Sequence, residues 1–417
     1  MSRPLLSPET LGKARIVAAQ RVCDHCLGRG FGKLESGLSN AERGALLREA
    51  LQTPAVNFLD CTVCEGLFGE LDEFATIVLE SLEGYEYDNY LVGTRVDPDL
   101  MAREQALWQA AGCVESSEKL NSELNREIGK RVHAKNGKPV EFGKPQITVL
   151  LDTRFNVATL TFGGYYLFGR YRKLERGLPQ TVWPCRRCRG RGCNTCNGTG
   201  KLYEASVQEL IEAAPKQASG ATETAFHGAG REDIDARCLG SGRPFVLELK
   251  NPKTRALDVA GLEREINETN KGRVEVEGLR IASKEEVAHV KEFRGHKTYL
   301  ARVVFADDVT SEKLLKAIGT LRGCVVAQRT PSRVSHRRAD LVRKRQVHSI
   351  ELESLSGREA QIRITGDAGL YIKELVSGDE GRTTPSVAEL TGVPAKVEDL
   401  DILGVEYESS APLDEEA

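Results

Sequence analysis

Hydrophobic positions recur at helical spacing through much of the N-terminal third of the chain. Ser7 is suited to cap a helix over residues 7–20, and Ser39 with Glu42 forms a capping box that opens a second helix. The same spacing predicts helices at about 39–51, 71–82 and 99–132, the last with a weak point near Gly112. Short apolar runs then predict three strands, at residues 90–96, 146–151 and 157–162.

The C-terminal half of the chain alternates between the two periods. Helical spacing covers residues 207–213 and 311–318. Runs typical of strands lie at residues 245–249, 299–305, 323–328 and 361–365. Strands separated by helices within about 180 residues indicate an α/β or α+β domain, so the chain as a whole is predicted to be a mixed α+β protein.

Composition narrows the class of protein without fixing its function. A chain of 417 residues has room for roughly two or three domains. With 40% hydrophobic and 29% charged residues it is neither collagen, coiled coil nor wholly disordered. Lys and Arg number 58 against 61 Asp and Glu, a net charge of −3, which excludes a uniformly basic nucleic-acid binder but allows a local basic patch.

The cysteines are best explained by metal binding. No apolar run follows the N-terminal Met1-Ser2-Arg3-Pro4, and no stretch approaches about 18 apolar residues, so we expect a cytoplasmic protein without a membrane span. In that reducing compartment structural disulfides are rare. Eight of the eleven cysteines fall in four CxxC pairs, namely Cys23/Cys26, Cys61/Cys64, Cys185/Cys188 and Cys193/Cys196.

Each CxxC places two thiolates on one tight turn, and two such turns supply all four ligands of a tetrahedral ion. The spacing therefore predicts one structural Zn²⁺ site for the first two pairs and a second for the last two, which only four residues separate. Buried apolar cysteines or redox pairs are the alternatives. Cys113, Cys238 and Cys324 stand alone and are assigned no role.

Two segments are strongly basic. Residues 169–191 hold eight Lys and Arg against Glu175 alone, and residues 322–345 hold eight, among them Arg337 and Arg338, against Asp340 alone. A solvated charged face is one interpretation. Nearly all of this charge is arginine, which suits bidentate phosphate contacts, so we favour RNA or DNA as the partner.

The densest polar motif is Gly230-Arg231-Glu232-Asp233, followed by Asp235. An ordinary charged loop is the plain alternative. The chain has no GxxxxGK[ST] loop and no GxGxxG after a strand, which argues against ATP-driven chemistry and weakly against a nucleotide-derived methyl donor. The sequence pattern does not show whether Asp233 or Asp235 is the catalytic carboxylate. The two side chains would share a face only in an extended segment, and a glycine-flanked loop need not be extended.

At this point the sequence resembles a known family. Gly230-Arg231-Glu232-Asp233 looks like the catalytic Gly-Arg-x-Asp of pseudouridine synthases. The fuller set resembles the archaeal-type tRNA pseudouridine synthase that acts on positions 54 and 55 of the TΨC arm. Besides residues 231–245, that set comprises residues 163–181, Lys297-Thr298-Tyr299, the run 329–338 and the run 371–383. The N-terminal half is similar to the zinc-containing THUMP module of the same family, an RNA-binding unit.

The resemblance implies a mechanism without an organic cofactor or a small-molecule cosubstrate. One ionised aspartate acts at the anomeric carbon or its neighbour, the glycosidic bond breaks, and the uracil turns and rejoins through carbon 5. Asp233 is the residue carried over, whereas Asp235 and Glu232 are interpreted as structural. Lys373 occupies the position of the family's basic partner, and Tyr299 and Tyr371 match its substrate-binding tyrosines; an extruded base needs such aromatic contacts.

The expected domains follow from these matches. We expect an N-terminal zinc-binding, THUMP-containing region at 1–168, a basic cysteine-rich connector at 169–203, a synthase domain with a mixed, largely antiparallel sheet and a central cleft at 204–408, and an acidic tail at 409–417. The partner is tRNA, and we expect a monomer. The rival interpretations are another THUMP-type tRNA-modifying enzyme, such as a methyltransferase or thiolation enzyme, and a non-enzymatic zinc-containing tRNA-binding protein.

Overall fold

The computed structural model describes residues 5–337 and 339–407, and the side chains at 336 and 337 are not described. The predicted acidic tail, 409–417, lies outside this part. Two compact units make up the chain: residues 1–163 with the short segment 251–255, and residues 164–250 with 256–417. No helix among the described residues combines the length and apolarity needed to cross a membrane.

The first unit contains six α-helices and a three-stranded sheet within the described residues. The helices are α1 (Pro8–Ala18), α2 (Asp24–Arg29), α3 (Asn40–Leu51), α4 (Leu71–Ser81), α5 (Pro98–Ala111) and α6 (Leu120–Asn136). The strands are β1 (Tyr90–Arg95), β2 (Ile147–Asp152) and β3 (Val157–Phe162). The strand order is β1-β2-β3, with β1 parallel to β2 and β2 antiparallel to β3.

Several predicted helix boundaries of this unit agree with the structure, but the stretch predicted at 99–132 is two helices, α5 and α6. The Ser7 side chain accepts from the Thr10 amide at the start of α1. Ser39 and Glu42 make both hydrogen bonds of the capping box at the start of α3. The weak point at Gly112 is a helix end: this glycine has φ +66° and terminates α5, a left-handed conformation that favours glycine.

The second unit is built on a ten-stranded sheet. Its strands are β4 (Tyr165–Lys173), β5 (Glu223–Gly228), β6 (Arg237–Lys250), β7 (Val274–Ala282), β8 (Lys297–Phe305), β9 (Val325–Arg329), β10 (Val342–Ser356), β11 (Glu359–Gly366), β12 (Thr383–Thr384) and β13 (Ala395–Val405). The helices are α7 (Val207–Ser219), α8 (Val259–Thr269), α9 (Lys284–Glu292), α10 (Ser311–Leu321), α11 (Ile372–Ser377) and α12 (Val387–Thr391).

The strand order of this sheet is β12-β9-β10-β11-β8-β13-β6-β4-β7, and β5 pairs with β6 outside that path. Every pairing is antiparallel except that of β13 with β6. The prediction of a mixed, largely antiparallel sheet is therefore confirmed. Apolar side chains of β8, β10 and β11 pack with α10 and α11 in one buried cluster, and those of β4, β6 and β7 pack with α7 and α8 in another.

Strand β4 crosses the predicted start of the connector. The connector was expected to begin at residue 169, but residues Tyr165–Lys173 form β4, which pairs with β6 on one side and β7 on the other. The arginines of β4 hide its strand pattern in the sequence. Arg170 and Arg172 have polar partners inside the unit, and the residues that alternate with them, Tyr171 and Lys173, are fully buried. The second unit accordingly starts at residue 164.

Candidate active site

The Gly-Arg-Glu-Asp motif lies in the loop between β5 and β6, and buried donors hold its backbone. The Lys173 ammonium donates to the carbonyls of Asp233 and Ile234, at 3.2 and 3.0 Å. The Gln180 amide donates to the Gly230 carbonyl at 3.0 Å. Gly230 has φ +78°, a left-handed conformation that favours glycine, and a Cβ there would lie 2.8 Å from the Lys297 Nζ.

Glu232 is a structural anchor of this loop. Its carboxylate is buried, forms an ion pair with Arg243 at 2.8 Å, and accepts from the Tyr171 hydroxyl at 2.9 Å. Burial opposes the charge of Arg243, yet the adjacent Glu232 carboxylate raises the pKa of that guanidinium above its ordinary value. These contacts fix the position of the Glu232 side chain and anchor the motif loop.

The Asp233 carboxylate, unlike the buried carboxylate of Glu232, is partly exposed and lies near two partly exposed cations. It lies 3.0 Å from the Arg333 guanidinium and 3.7 Å from the Lys373 ammonium. Arg333 is itself held by Glu374, with Nε 2.7 Å from the carboxylate. Lys373 makes its shorter contact with Asp235, at 2.6 Å. Both aspartates of the loop therefore reach one lysine.

Two tyrosines stand beside Asp233 on separate elements. Tyr299 projects from β8 and is 8% exposed, and burial raises the pKa of its phenol to about 12. Tyr371 caps α11, and the buried Gln328 fixes it by a hydrogen bond from the Tyr371 amide at 2.8 Å and one to its carbonyl at 2.9 Å. This clamp also sets the start of the helix that carries Lys373.

These side chains line one cavity of about 410 Å³, which also contains Lys297 and Arg231. Its wall brings together residues from separate stretches of the chain, among them the motif loop, β8, the segment around Arg333, and residues 368–373. A second cavity of about 400 Å³ shares Asp233 with the first and reaches Trp183, whose ring lies 4.9 Å from the Arg231 guanidinium. A carboxylate, several cations and aromatic rings thus surround a space large enough for a nucleoside.

The first cysteine group forms a buried tetrad. The Sγ atoms of Cys23 and Cys64 are 3.7 Å apart and those of Cys26 and Cys61 3.5 Å apart, and all four lie within 4.8 Å of one another. A disulfide would need about 2.05 Å. A tetrahedron with metal–sulfur bonds of about 2.3 Å has edges of about 3.8 Å, so these four thiols fit Zn²⁺.

The second group is a matching pair of turns. Sγ distances of 3.9 Å join Cys185 to Cys193 and 3.8 Å join Cys188 to Cys196. The amides of Gly192 and Gly200 each donate to a thiol four residues earlier, at 3.2 Å. This repetition reflects the repeated CxxCxGxG pattern in the sequence, and the group can hold a second Zn²⁺.

The two basic segments divide into paired and exposed arginines. Within 169–191, Arg170, Arg172 and Arg176 bond to groups of the second unit, whereas the four arginines around the cysteine turns are exposed: Arg186, Arg187, Arg189 and Arg191. In the second segment Arg329 pairs with Asp340. The side chains of Arg337 and Arg338 lie outside the described residues. Among the described residues, the cysteine turns therefore carry four exposed arginines.

Two family models match the chain, and each coincides with part of one unit. The model described as Pus10, C-terminal, covers residues 166–406, which includes the cavity and the second cysteine group. The model described as Pus10 THUMP domain, archaeal, covers residues 74–152 of the first unit. The first match spans more than half of the sequence. The chain belongs to the Pus10 family.

Curated Pus10 relatives agree along almost the whole length. Proteins named tRNA pseudouridine synthase Pus10 from Methanothrix thermoacetophila and Halorubrum lacusprofundi are each 44% identical, over 94% and 95% of this chain and 93% and 96% of their own. The protein of the same name from Pyrococcus furiosus is 38% identical over 95% of this chain and 97% of its own. The predicted family is confirmed.

Solved structures show only distant likeness to this Pus10 family member. A Cbf5-Nop10-Gar1 complex matches 47% of this chain and 44% of its own, with 18% identity and a TM-score of 0.31. A pseudouridylate synthase matches 67% of this chain and 81% of its own, with 14% identity and a TM-score of 0.20. The family relationship therefore rests on the sequence matches.

The sequence prediction named Lys373 as the cation beside Asp233 and did not single out Arg333 or Lys297. Arg333 was counted within a basic segment, where seven neighbours of the same charge concealed its separate position. Lys297 precedes Tyr299 by two residues in the family motif, and this spacing on one strand is the signal in the sequence that both side chains share a face.

Proposed function

We propose that this chain isomerises uridine to pseudouridine in tRNA, at positions 54 and 55 of the TΨC arm, with Asp233 as nucleophile. The observation that carries the proposal is the cavity in which Asp233, two cations and two tyrosines meet from separate chain segments. The kinship with proteins named tRNA pseudouridine synthase Pus10 supplies the reaction and the RNA class. As a tRNA-modifying enzyme it would work in the cytoplasm, as a monomer.

The surroundings of Asp233 suit a nucleophile. Arg333 and Lys373 compensate the negative charge of the carboxylate, and the Glu374 contact keeps Arg333 in place. The loop backbone is fixed from below by Lys173 and Gln180, so the carboxylate is held before substrate arrives. A preorganised charge of this kind is worth more than one that must reorganise.

The reaction needs the uridine outside the RNA stack. Once it enters the cavity, the Asp233 carboxylate attacks the ribose at the anomeric carbon, or acts at the neighbouring ribose carbon, and the bond from the anomeric carbon to nitrogen 1 breaks. Tyr299 and Tyr371 hold the detached uracil while it turns, and carbon 5 then bonds to the anomeric carbon as the Asp233 carboxylate is released. All atoms of the uridine are retained, so no organic cofactor and no cosubstrate are required.

The remaining features serve RNA binding and folding. The exposed arginines of the second cysteine group contact the RNA backbone, and the THUMP module of the first unit binds RNA as well. Two structural Zn²⁺ ions hold the two cysteine tetrads, one in each unit.

The experiment is mass mapping of an unmodified tRNA transcript after incubation with the pure protein and no added cofactor. Because pseudouridine has the mass of uridine, the product is derivatised with a carbodiimide before digestion. Derivatised positions 54 and 55 are the expected result. A gain of mass that needs an added methyl or sulfur donor would indicate the other THUMP-type enzymes, and tRNA binding without any modification would indicate a binding protein.

A further inference from the structure

Lys297 opens β8 and extends into the same cavity as Asp233. The strand is held on both sides, with Lys297 in register with Gly366 of β11 and with Val405 of β13. Its Nζ lies above the backbone of Gly230, where a Cβ would be 2.8 Å away. Among the described residues, no hydrogen bond or ion pair reaches this nitrogen.

The two cations closest to the Asp233 carboxylate are committed to carboxylates. Arg333 contacts Asp233 and Glu374, and Lys373 contacts Asp235 at 2.6 Å. A cation in an ion pair has no free lone pair and cannot accept a proton. Lys297 is different because, among the described residues, no carboxylate forms an ion pair with its nitrogen.

Charged and titratable groups of β6, of the motif loop and of the segment before β8 act on Lys297. Burial and the nearby Arg243 of β6 lower the pKa of its ammonium to about 7, and Arg294 acts in the same sense. Glu232 of the motif loop and Cys238 of β6 oppose that shift. A sizeable fraction of the amine is therefore neutral at neutral pH.

Isomerisation of uridine requires a base in the cavity that can reach carbon 5 of the uracil. The bond from the anomeric carbon to nitrogen 1 breaks with its electron pair on the base, and a bond from carbon 5 to the anomeric carbon forms. Carbon 5 then bears both the sugar and its original hydrogen, which must leave as a proton, while nitrogen 1 must gain one. The Tyr299 phenol is a poor acceptor, because burial raises its pKa to about 12 and further disfavours the phenolate.

We infer that the neutral amine of Lys297 removes the proton from carbon 5 of the uracil after the new carbon–carbon bond has formed, and that the resulting ammonium protonates nitrogen 1. The amine is thereby regenerated and the proton count is balanced without water or cofactor. This inference rests on the proposed function, since it assigns a second catalytic residue to the same reaction.

The test compares wild-type protein with Lys297→Met and Lys297→Arg in single-turnover reactions on a tRNA transcript made with ordinary or 5-deuterated uridine. For wild type, the rate should rise with pH through about 7 as the amine loses its proton. Both variants should lose about 10²–10⁴-fold in rate and lose this pH dependence. Deuterium at carbon 5 should slow wild type as well as the variants, because proton removal from carbon 5 contributes to the observed rate in each.

Two further measurements distinguish a failure of the proposed function from a failure of the role assigned to Lys297. Wild type and Asp233→Asn are assayed first: an inactive wild type would refute the proposed function itself. With an active wild type, a rate in Lys297→Arg equal to wild type, or a wild-type rate independent of pH from about 6 to about 8.5, would overturn the role of Lys297. Since the second result needs no variant, misfolding of the variants cannot hide the answer; tRNA affinity within a few-fold of wild type would confirm that they fold.

Discussion

The Arg333 guanidinium lies 3.0 Å from the Asp233 carboxylate and bridges it to Glu374 on α11. Lys373, on the same helix, approaches Asp233 only to 3.7 Å and contacts Asp235 at 2.6 Å. Arg333 is therefore the closer partner of Asp233, and the arrangement assigns different tasks to the two aspartates: one faces the arginine and the cavity, and the other holds the lysine.

We expect Asp233→Asn to abolish isomerisation while tRNA affinity stays within a few-fold of wild type. The amide keeps the size of the side chain but is not a nucleophile. Product is measured by carbodiimide mapping, and affinity by filter binding. The matched control is Asp235→Asn, which removes a carboxylate two residues away and should retain turnover; the reverse pattern would show that Asp235 is the nucleophile.

Arg333→Gln should lower the rate more than Lys373→Gln does. Loss of a hydrogen bond to a charged group costs about 1.5–3 kcal/mol, which corresponds to roughly tenfold to 150-fold in rate if it is expressed in the transition state. Lys373 has its shorter contact elsewhere, so its loss should act on Asp233 more weakly. Single-turnover rates at saturating enzyme give the comparison, and equal losses in the two variants would contradict it.

Local signals in the sequence were sufficient for much of the fold. The caps at Ser7 and Ser39, the weak point near Gly112 and the strands of the first unit depend on neighbouring residues, and the structure has the caps and strands where they are predicted and a helix end at the weak point. The interior of the second sheet was harder to predict. β4 is rich in arginine and tyrosine, and its polar groups find partners that lie far away in the sequence, such as the contact of Arg170 with the Val405 carbonyl.

The residues of the candidate site also divide into those that local sequence predicts and those whose contacts depend on distant parts of the chain. The motif around Asp233 and the cysteine pairs are short runs of sequence, so both could be predicted as candidate sites, Asp233 from the family resemblance and the cysteines from their spacing. The pairing of Arg333 with Asp233 joins residues 100 positions apart, and it depends on how the 3₁₀ segment Ser332–Arg337 meets the motif loop. No local pattern in a run of arginines distinguishes the one that reaches a carboxylate from those that face solvent.

The ion pair of Glu232 with Arg243 should be critical for stability. Both side chains are at most 1% exposed, and removal of one partner leaves a buried charge without compensation. Glu232→Gln should therefore destabilise the second unit by about 3–5 kcal/mol. Urea unfolding followed by circular dichroism measures this change. The control is Glu223→Gln, which breaks an exposed pair with Lys250 and should change stability by no more than about 1 kcal/mol.

Metal analysis of the purified protein should give about two zinc ions per chain. Cys185→Ser with Cys188→Ser should remove one ion and leave the first tetrad, because the two groups lie in separate units. Cys23→Ser should instead destabilise the first unit, since structural zinc contributes directly to folding. The control is Cys324→Ser, a cysteine outside both groups, which should keep both ions. A content of one ion that the change at 185 and 188 does not alter would exclude the second site.

The exposed arginines of the second cysteine group should set affinity for tRNA and its dependence on salt. Arg186 and Arg189 make no hydrogen bond or ion pair within the described residues, so their charge is available to phosphate, and each neutralised phosphate releases condensed counterions. Arg186→Gln with Arg189→Gln should therefore weaken binding and flatten the dependence of log affinity on log salt. The modified position should not move, because backbone contacts orient the RNA without selecting a base.

The matched control removes the same charge from arginines that are already paired. Arg172 lies against Glu275 and Glu277, and Arg302 against Asp399 and Glu359. Because their carboxylate partners already compensate them, Arg172→Gln with Arg302→Gln should leave the salt dependence near that of wild type. Filter binding across a salt titration decides between these outcomes. If both double variants change the slope equally, long-range net charge rather than contact with phosphate accounts for the effect, and the cysteine turns are then a solvated face.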